Sequence, residues 1–429
     1  MILPFRRNFS QEAVIGPDAE QACSVSESAP VTFPALTGVR ILAAYLVFWH
    51  HYPLPKDYVG SFVSSIFAEG HIGVTVFFVL SGFLITYRYR DGFRAHKVTL
   101  FNYSWNRIAR IYPVYFAVAI ATLVVHRETG LWNWFLQLTL TKGLFDQYKF
   151  TGVAQAWSLT VEECFYFSAP LLFLAFRHRR GILFALLSIY ALGAICLLVG
   201  SLCPWHGLFG SFQFVVLYTF LGRSFEFLIG AKLAIDVLNN PRRTRTRPFR
   251  TYLGMLGVFA ALVELSKLRS QCYSLGALHP AGMLINNFLL PLAIVAFFRG
   301  LLEEDTLARR ILAGPLFVLL GKSSYSFYLL HAGVLAACLS SLNSSPLVLF
   351  ILVNIASVLM FKCYEEPLNR WLKAIVRPGK AGKPLAQYPS LKVGLPTGTF
   401  LAAGGSFGTP GLPTDRQGAF SCHYASSVS

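Results

Sequence analysis

Long apolar blocks are the feature of this 429-residue sequence that most restricts its fold. Each block has roughly twenty residues, the length that an α-helix needs to cross the hydrocarbon core of a bilayer. Hydrophobic residues make up 55% of the chain and charged residues only 13%, unlike a soluble globular protein. The sequence therefore predicts an all-α, polytopic membrane bundle of about ten transmembrane helices. The predicted spans lie near residues 35–53, 71–87, 111–126, 157–176, 181–203, 213–236, 251–267, 281–301, 322–342 and 344–363.

The chain is basic, with 37 Lys and Arg against 20 Asp and Glu. The basic residues cluster between the apolar blocks, as loop anchors do, so we expect a membrane-lipid environment and no nucleic-acid partner. If ten spans alternate, the four arginine-rich connections fall on the same side. They lie within residues 88–110, 177–180, 242–250 and 309–310. The positive-inside rule makes that side cytoplasmic, and both termini with it.

Composition divides the chain into three parts. We predict a cytoplasmic N-terminal tail over residues 1–33, a membrane domain over residues 34–375, and a disordered cytoplasmic tail rich in Gly, Pro and Ser over residues 376–429. The segment LWNWFLQLTL (131–140) is about half a span long, so it predicts a re-entrant or interfacial helix. The eight cysteines are scattered without a C-x-x-C pair, so no disulfide framework and no metal site is expected.

The first span carries Arg40 and His51, within GVRILAAYLVFWHHY (38–52). Since an α-helix turns 100° per residue, two residues eleven apart differ by about 20° around its axis and stand roughly 16 Å apart along it. Ionisable side chains are costly in hydrocarbon unless they face protein or water. We therefore interpret Arg40 and His51 as facing one groove, with Arg40 near the cytoplasmic rim. An interfacial anchor is the alternative for each residue.

Two adjacent carboxylates, Glu162 and Glu163, open the fourth span in AWSLTVEECFYF (156–167). Their predicted depth is comparable with that of His51, and two carboxylates at that depth are not expected to both face lipid. A carboxylate beside an imidazole orients it as a base toward a hydroxyl. We predict that one of the two supports His51. The alternative is that a glutamate only fixes the helix to polar neighbours.

Two further pairs are spaced i, i+3, so the members of each pair share a helix face. Arg223 and Glu226 lie in the sixth span, where a structural ion pair is one interpretation and a functional site the other. Tyr328 and His331 lie in the ninth span. There His331 is either a buried, hydrogen-bonded residue or a catalytic one.

Arg107 and Arg110 share a face at the cytoplasmic mouth of the third span. Such a fork binds a polyphosphate or a phospholipid head group, and positive charge that only fixes topology is the alternative. The embedded polar groups thus run from arginines at one mouth, through ion pairs, to histidine and glutamate near the other. This layout suits a cytoplasmic anionic donor and an acceptor hydroxyl approached from the other leaflet.

The same residues carry a resemblance to a known family. From about residue 35 to 370 the sequence resembles the acyltransferase-3 family of integral-membrane O-acyltransferases. In the family's order, the similar segments are the helix with arginine and histidine eleven residues apart (38–52), GVTVFFVLSGFLI (73–85), R-x-x-R (107–110), WSLTVEECFYF (157–167), GRSFEFLIG (222–230), GKSSYSFYLLH (321–331) and EEPLNRW (365–371).

The resemblance implies transfer of a short acyl group, most simply acetyl, from acyl-CoA to a hydroxyl of a carbohydrate or glycoconjugate, in a bacterial plasma (inner) membrane. It implies that His51, aided by Glu163 or Glu162, acts as general base or through an acyl-histidine. Arg107 and Arg110 would bind the acyl-CoA, a donor substrate, and no bound cofactor is expected. The other residues expected to contact substrate are Arg40, Trp157, Arg223, Glu226, Tyr328 and His331.

One position departs from the family pattern. Thr37 stands where family members often have an aspartate, three residues before the arginine. The carboxylate that would hold Arg40 is therefore missing, and we expect Arg40 to be held differently or to matter less.

A polytopic transporter or flippase for a glycoconjugate or an anionic solute is the alternative function. Intramembrane charges support a permeation path equally well. Against it, the spans show no inverted pair of Gly- or Pro-broken helices. Consumption of labelled acyl-CoA by membranes would favour the enzyme over the transporter.

Overall fold

The structure is a computed structural model that describes residues 32–240, 248–269, 273–342 and 345–376. The chain divides into two units, residues 1–380 and 381–429, and every described residue belongs to the first. The predicted N-terminal tail lies outside the described residues except for its last two positions. The predicted C-terminal tail lies outside them except for Val376, and so do Arg242, Arg243, Arg245 and Arg247 of one predicted basic connection.

Over its described residues the chain is helical and forms no β-strand, as its apolar blocks predict. The α-helices, in chain order, are α1 Pro34–His51, α2 Lys56–Ala68, α3 Gly73–Arg94, α4 Leu100–Val125, α5 Leu131–Leu138, α6 Trp157–Ala175, α7 Gly181–Leu202, α8 Phe212–Tyr218, α9 Phe220–Asn239, α10 Phe249–Arg269, α11 Pro280–Leu284, α12 Leu290–Glu303, α13 Leu307–Leu312, α14 Pro315–Leu330, α15 Val334–Leu342, α16 Pro346–Met360 and α17 Glu366–Val376. Single π-helical turns, Ile285–Leu289 and Phe361–Glu365, join α11 to α12 and α16 to α17.

Eight helical stretches among the described residues are long and apolar enough to cross a membrane, or nine if the bent pair α14–α15 is one span. The protein is therefore a multi-pass membrane protein. Helix α1 has 18 residues, about 27 Å at 1.5 Å per residue, and would be a tenth span. Its ionisable residues Arg40, His50 and His51 make it less apolar than the eight.

Several spans differ from their predicted outlines. The second, predicted over 71–87, continues in α3 to Arg94, and the tenth, predicted over 344–363, continues through a π-helical turn to Val376. Helix α4 begins at Leu100, well before residue 111, because Thr99 caps it by accepting the N–H of Asn102 at 3.2 Å, and because Arg107 and Arg110 find partners inside the bundle. The ninth predicted span is bent by 87° after α14. The bend contains Gly333, whose φ of 119° favours glycine. His331 therefore ends α14 at a break and does not lie inside a continuous span. The segment 131–140 contains the short helix α5, as predicted.

Close backbone contacts hold the centre of the bundle together. Helix α3 packs extensively along α9, and a Cβ on Gly82 would lie only 2.0 Å from the carbonyl oxygen of Phe227. Helix α1 packs along α14 in the same way, since a Cβ on Gly321 would lie 1.9 Å from the Thr37 carbonyl oxygen. Larger residues at Gly82 or Gly321 would force these helices apart. The contact between α1 and α14 brings the candidate site together.

Candidate active site

A cavity of about 170 Å³ lies beside the C-terminal end of α1. We call it the histidine cavity, because His50, His51 and His71 all line it. Its other lining side chains include Trp157, Arg223 and Tyr328, three of the residues that the sequence singles out, together with Phe150, Gln155, Tyr218 and Asn286. The mixture of aromatic walls with a few polar groups is typical of a ligand site.

His51 is an exposed residue, and its ring lies 5.1 Å from the ring of His331, centroid to centroid. His51 Nδ1 is 2.9 Å from the Val47 carbonyl oxygen, and His331 Nδ1 is 2.7 Å from the Tyr328 carbonyl oxygen. A carbonyl oxygen only accepts hydrogen bonds, so in each neutral ring Nδ1 carries the proton and donates it. Each Nε2 therefore keeps its lone pair, and each ring can act as a base.

A backbone carbonyl thus orients His51, where the sequence predicts a carboxylate. His50 has the same arrangement, because its Nδ1 lies 2.6 Å from the Ala68 carbonyl oxygen. The rings of His50 and His51 are 5.0 Å apart. In their neutral forms, His50, His51 and His331 are therefore three neighbouring imidazoles that each keep a lone pair on Nε2.

A second, smaller cavity of about 40 Å³ is lined by Arg40, Glu162, Ser158 and Ser324, among others. We call it the arginine cavity. Val74 and Tyr328 line both cavities, so the two adjoin at these side chains. The Tyr328 hydroxyl is also 2.8 Å from the Ser158 hydroxyl. Arg40 and His51 thus line two different cavities that share these wall residues, where the sequence predicts a single groove.

Arg40 is held without the missing carboxylate neighbour. Its Nε donates to the Ser324 hydroxyl at 3.2 Å, and its guanidinium carbon lies 5.9 Å from the centre of the Phe77 ring. Thr37 points its hydroxyl at its own helix, donating to the Phe33 carbonyl at 3.1 Å. Ser324 and Phe77 thus do the positioning, and Glu162 supplies a negative charge in the same cavity.

Glu162 and Glu163 have different surroundings. Glu162 accepts hydrogen bonds from the Ser81 hydroxyl at 3.0 Å and the Tyr166 hydroxyl at 2.9 Å. Glu163 is 8% exposed, lines neither cavity among their described walls, and its Oε1 has no hydrogen-bond partner within the described part of the chain. Neighbouring residues on a helix point 100° apart, which explains why the two carboxylates face different elements.

Arg107 continues the polar path beyond Glu162. Its Nη2 donates to the Tyr89 hydroxyl at 3.0 Å, and its guanidinium lies 5.3 Å from the Tyr89 ring centre and 5.8 Å from that of Tyr166. Arg107 Nε has no partner in the described residues. The Tyr89 and Tyr166 rings hold the guanidinium, and its Nε–H is left without an acceptor. Such a group can donate a hydrogen bond to a phosphate oxygen.

Arg110, by contrast, already has a partner. It forms an ion pair with Glu365 of the second π-helical turn. Glu365 also accepts the Ser326 hydroxyl at 2.6 Å, and the Arg110 guanidinium lies 5.7 Å from the Tyr325 ring centre. Arg110 therefore ties α4 to α14 and to the last π-helical turn. Of the two arginines predicted to bind phosphate, Arg107 therefore has more capacity left for a ligand, because Arg110 is already in an ion pair.

Arg223 and Glu226 form the ion pair that their spacing predicts. Arg223 Nε donates to Glu226 Oε1 at 2.6 Å and Nη2 to Oε2 at 3.1 Å, with both side chains at most 4% exposed. Arg223 also donates to the Leu217 carbonyl at 3.1 Å and the Thr75 hydroxyl at 2.9 Å. These bonds satisfy the guanidinium and fix α9 against α3.

Three polar residues that line the histidine cavity are not among the predicted site residues: Gln155, His71 and Asn286. Asn286 belongs to the π-helical turn Ile285–Leu289, and its amide donates to Asn287 at 2.8 Å. A polar residue inside an apolar span is the signal that would have identified Asn286 and His71. Gln155 lies before its span and offers no comparable signal.

The loop between α5 and α6 carries a buried lysine. Lys142 Nζ donates to the Thr151 carbonyl at 2.6 Å and to the Val153 carbonyl. Burial lowers the pKa of Lys142 from 10.5 to about 7. Because the loop also carries Phe150 and Gln155, Lys142 holds one wall of the histidine cavity in place.

The arrangement offers distinct chemistry at its two ends. One end has neutral imidazoles that can remove a proton from a hydroxyl. The other has Arg40 and Arg107, which can bind an anion and stabilise developing negative charge. Across the described residues, no group of three or more His, Cys, Asp or Glu side chains is arranged to hold a metal ion.

Comparison with known proteins agrees with the resemblance. The family profile described as "Acyltransferase domain" matches residues 33–361. A Staphylococcus aureus (strain COL) protein named "Putative O-acetyltransferase" is 24% identical over 330 residues, which cover 71% of this chain and 50% of that protein. The chain thus spans about half the length of this relative.

Two other relatives match shorter stretches. Acyltransferase MdmB of Streptomyces mycarofaciens is 31% identical over 165 residues, covering 33% of this chain and 39% of MdmB. O-acetyltransferase OatA of Staphylococcus aureus (strain NCTC 8325 / PS 47) is 27% identical over 168 residues, covering 35% of this chain and 26% of OatA. No solved structure matches the chain.

Proposed function

Because the chain belongs to the acyltransferase-domain family, whose profile covers residues 33–361, we propose that it is a membrane O-acyltransferase. The donor is a short acyl-CoA, acetyl-CoA in the first instance, and the acceptor is a hydroxyl of a carbohydrate or glycoconjugate. The names of two of the relatives support transfer of an acetyl group to oxygen. The host membrane is the bacterial plasma membrane.

The observation that carries this proposal is the junction between the two cavities. The histidine cavity and the arginine cavity adjoin at Val74 and Tyr328. A base and a cationic site therefore lie on either side of the same two wall residues, inside one bundle. An enzyme that brings together a cytoplasmic donor and an acceptor from the other side of a membrane needs these two sites close to each other, and a membrane scaffold does not.

We propose that acyl-CoA enters from the cytoplasmic side, which the positive-inside rule assigns to the Arg107 end of the bundle. Arg107 contacts a phosphate, and Arg110, held by Glu365, adds positive potential at the same mouth. The pantetheine arm passes Arg40 and brings the thioester toward His51. Glu162 balances the charge of Arg40 along this path, and Glu163 remains a candidate for a supporting role.

The transfer step is balanced within the site. His51 Nε2 removes the proton from the acceptor hydroxyl as its oxygen attacks the thioester carbonyl. The tetrahedral intermediate then collapses, the C–S bond breaks, and the coenzyme A thiolate takes the proton from the His51 imidazolium. In a second route the acyl group is carried briefly on His51 before the acceptor attacks. A burst of free coenzyme A before the steady state would indicate the second route.

The test is acetyl-CoA consumption by the purified full-length protein in lipid vesicles, followed as release of free thiol. Water replaces the acceptor in slow hydrolysis, so the assay does not require the acceptor to be known. We expect His51→Ala to lower the rate at least a hundredfold, since positioned general bases contribute ~10²–10⁴-fold.

His178→Ala, at an exposed position between α6 and α7, is the matched control and should keep the full rate. Normal insertion of His51→Ala into the membrane must accompany the loss. If wild-type protein consumes no acetyl-CoA, or if His51→Ala retains full activity, the proposed function is wrong.

A further inference from the structure

We infer that Phe150, Trp157 and Tyr218 form an aromatic wall that binds the acceptor as a sugar ring, by stacking against its apolar C–H face. All three side chains line the histidine cavity together with His51. The inference rests on the proposed function and deepens it, because it gives these three residues the role of selecting a ring-shaped acceptor over an open-chain one.

The three rings contact one another in series. The centres of Phe150 and Tyr218 are 5.6 Å apart with planes at 87°, and those of Trp157 and Tyr218 are 4.9 Å apart with planes at 72°. Phe150 nevertheless remains 52% exposed. A large apolar ring left open at the mouth of a cavity is available to a ligand, and its electron-rich face attracts C–H hydrogens.

A cation holds this wall in place. Lys149 Nζ lies 5.0 Å from the ring centre of Phe150, 5.4 Å from that of Tyr218 and 5.6 Å from that of Phe214. An ion pair with Asp146 keeps the ammonium there. Three cation–π contacts to one ammonium fix the rings before a ligand arrives, so less ordering is needed on binding. Lys149 is thus a positioning residue.

The cavity also offers a polar atom that lacks a partner. Gln155 Nε2 donates to the Leu329 carbonyl at 2.7 Å and to the Ala332 carbonyl at 2.8 Å. Since carbonyl oxygens cannot donate, the nitrogen must be on that side and Oε1 is left as an acceptor. Gln155 is 4% exposed, and Oε1 has no partner within the described structure. A hydroxyl group of the ligand would satisfy it.

A sugar ring meets both requirements at once. It has an apolar face for the aromatic wall and hydroxyl groups for Gln155 and for His51 Nε2. An acyclic polyol also offers hydroxyl groups but has no rigid apolar face. The aromatic wall should therefore favour sugar rings over the corresponding open-chain alditols, and this preference can be measured.

The experiment uses the full-length wild-type protein in detergent without acyl-CoA, so that no turnover occurs, and follows binding by titration calorimetry. The probes are the methyl pyranosides of glucose, galactose and N-acetylglucosamine, each paired with its acyclic alditol. At least one pyranoside should bind about tenfold more tightly than its alditol. Phe150→Ala should weaken that pyranoside about tenfold, and Phe150→Trp should restore it.

Phe135→Ala is the matched control, because Phe135 is equally exposed at 53% and lies on α5 outside the histidine cavity. It should leave sugar binding unchanged. Equal affinity for rings and alditols, absence of any pyranoside binding, or no effect of Phe150→Ala would overturn the inference. Sugar binding without acetyl-CoA consumption by wild-type protein would instead keep the aromatic wall and reject the proposed acyl transfer.

Discussion

The imidazole rings of His51 and His331 lie 5.1 Å apart, although the two residues come from opposite ends of the described chain. Each ring donates its Nδ1 proton to a backbone carbonyl and keeps Nε2 free. His331 is completely buried, and its Nε2 has no hydrogen-bond partner among the residues described. A buried acceptor without a donor is costly, so its retention points to a role in the reaction.

We therefore predict that His331 works together with His51. His331→Ala should lower kcat for acetyl-CoA consumption about tenfold to a hundredfold, because the neighbouring imidazole no longer helps His51 to hold and release its proton. Residues that act as one unit are not additive, so the double variant with His51→Ala should be no slower than His51→Ala alone. A full rate for His331→Ala, or a further loss in the double variant, would show that His331 acts independently or only structurally.

Arg107 should recognise a phosphate of the donor, and Arg110 should stabilise the bundle. Arg107→Gln is expected to raise KM for acetyl-CoA about tenfold, the effect of losing one charge-assisted hydrogen bond of ~1.4 kcal/mol. It should also remove any preference for acetyl-CoA over its 3′-dephospho form if the 3′-phosphate is the group bound. Steady-state kinetics with both donors measures this.

Arg110→Gln should instead lower the thermal unfolding temperature, and Glu365→Gln should do the same, because each leaves one charge of the ion pair without its partner. A rise in KM confined to Arg110→Gln would reverse these assignments.

The buried pair Arg223–Glu226 gives a prediction about stability. Glu226→Gln leaves the Arg223 charge without a carboxylate in the interior, which typically costs about 3–5 kcal/mol. The unfolding temperature in detergent should fall clearly. Arg370→Met is the control, because it breaks an exposed pair with Glu366 on the same helix, α17. Exposed pairs contribute about 0–1 kcal/mol, so the control should be nearly neutral. Equal effects of the two substitutions would contradict the assigned importance of burial.

Much of the fold and part of the candidate site could be predicted from helical periodicity and from the high cost of burying a charge in a membrane. The spans, the short helix α5 and the ion pair of Arg223 with Glu226 all follow from local spacing in the sequence. The shared face of Arg40 and His51 follows from the same arithmetic, and both residues contact α14 or the residue that ends it, through Ser324 and His331. These features depend on residues that are close in sequence.

Long-range pairing could not be predicted in the same way. The ion pair of Arg110 with Glu365 joins residues far apart in sequence, and spacing within one helix says nothing about it. The 87° bend after α14 was missed because the apolar run continues through Gly333. Gln155 was missed because its importance comes from two carbonyl groups on another part of the chain.

Lys142 gives the protein a predictable dependence of stability on pH. Its pKa is about 7 in the folded protein and 10.5 ordinarily, which we take for the unfolded chain. Between these values the unfolded chain binds more protons, so the free energy of unfolding rises with pH from about 7 to 10.5. Below that window both states bind the proton, and Lys142 adds no pH dependence. The unfolding temperature of the wild type should therefore rise between pH 7 and pH 9 through this residue.

Lys142→Met should be less stable than the wild type at every pH, because the carbonyl groups of Thr151 and Val153 lose their donor. Its unfolding temperature should also rise less between pH 7 and pH 9, so that the gap to the wild type widens with pH. Scans in detergent at half-unit steps of pH measure this gap, and Lys56→Met, at an exposed position, should run parallel to the wild type. A gap that stays constant or narrows toward pH 9 would mean that Lys142 does not lose its proton in this window, and that its ammonium form is the one that holds the loop.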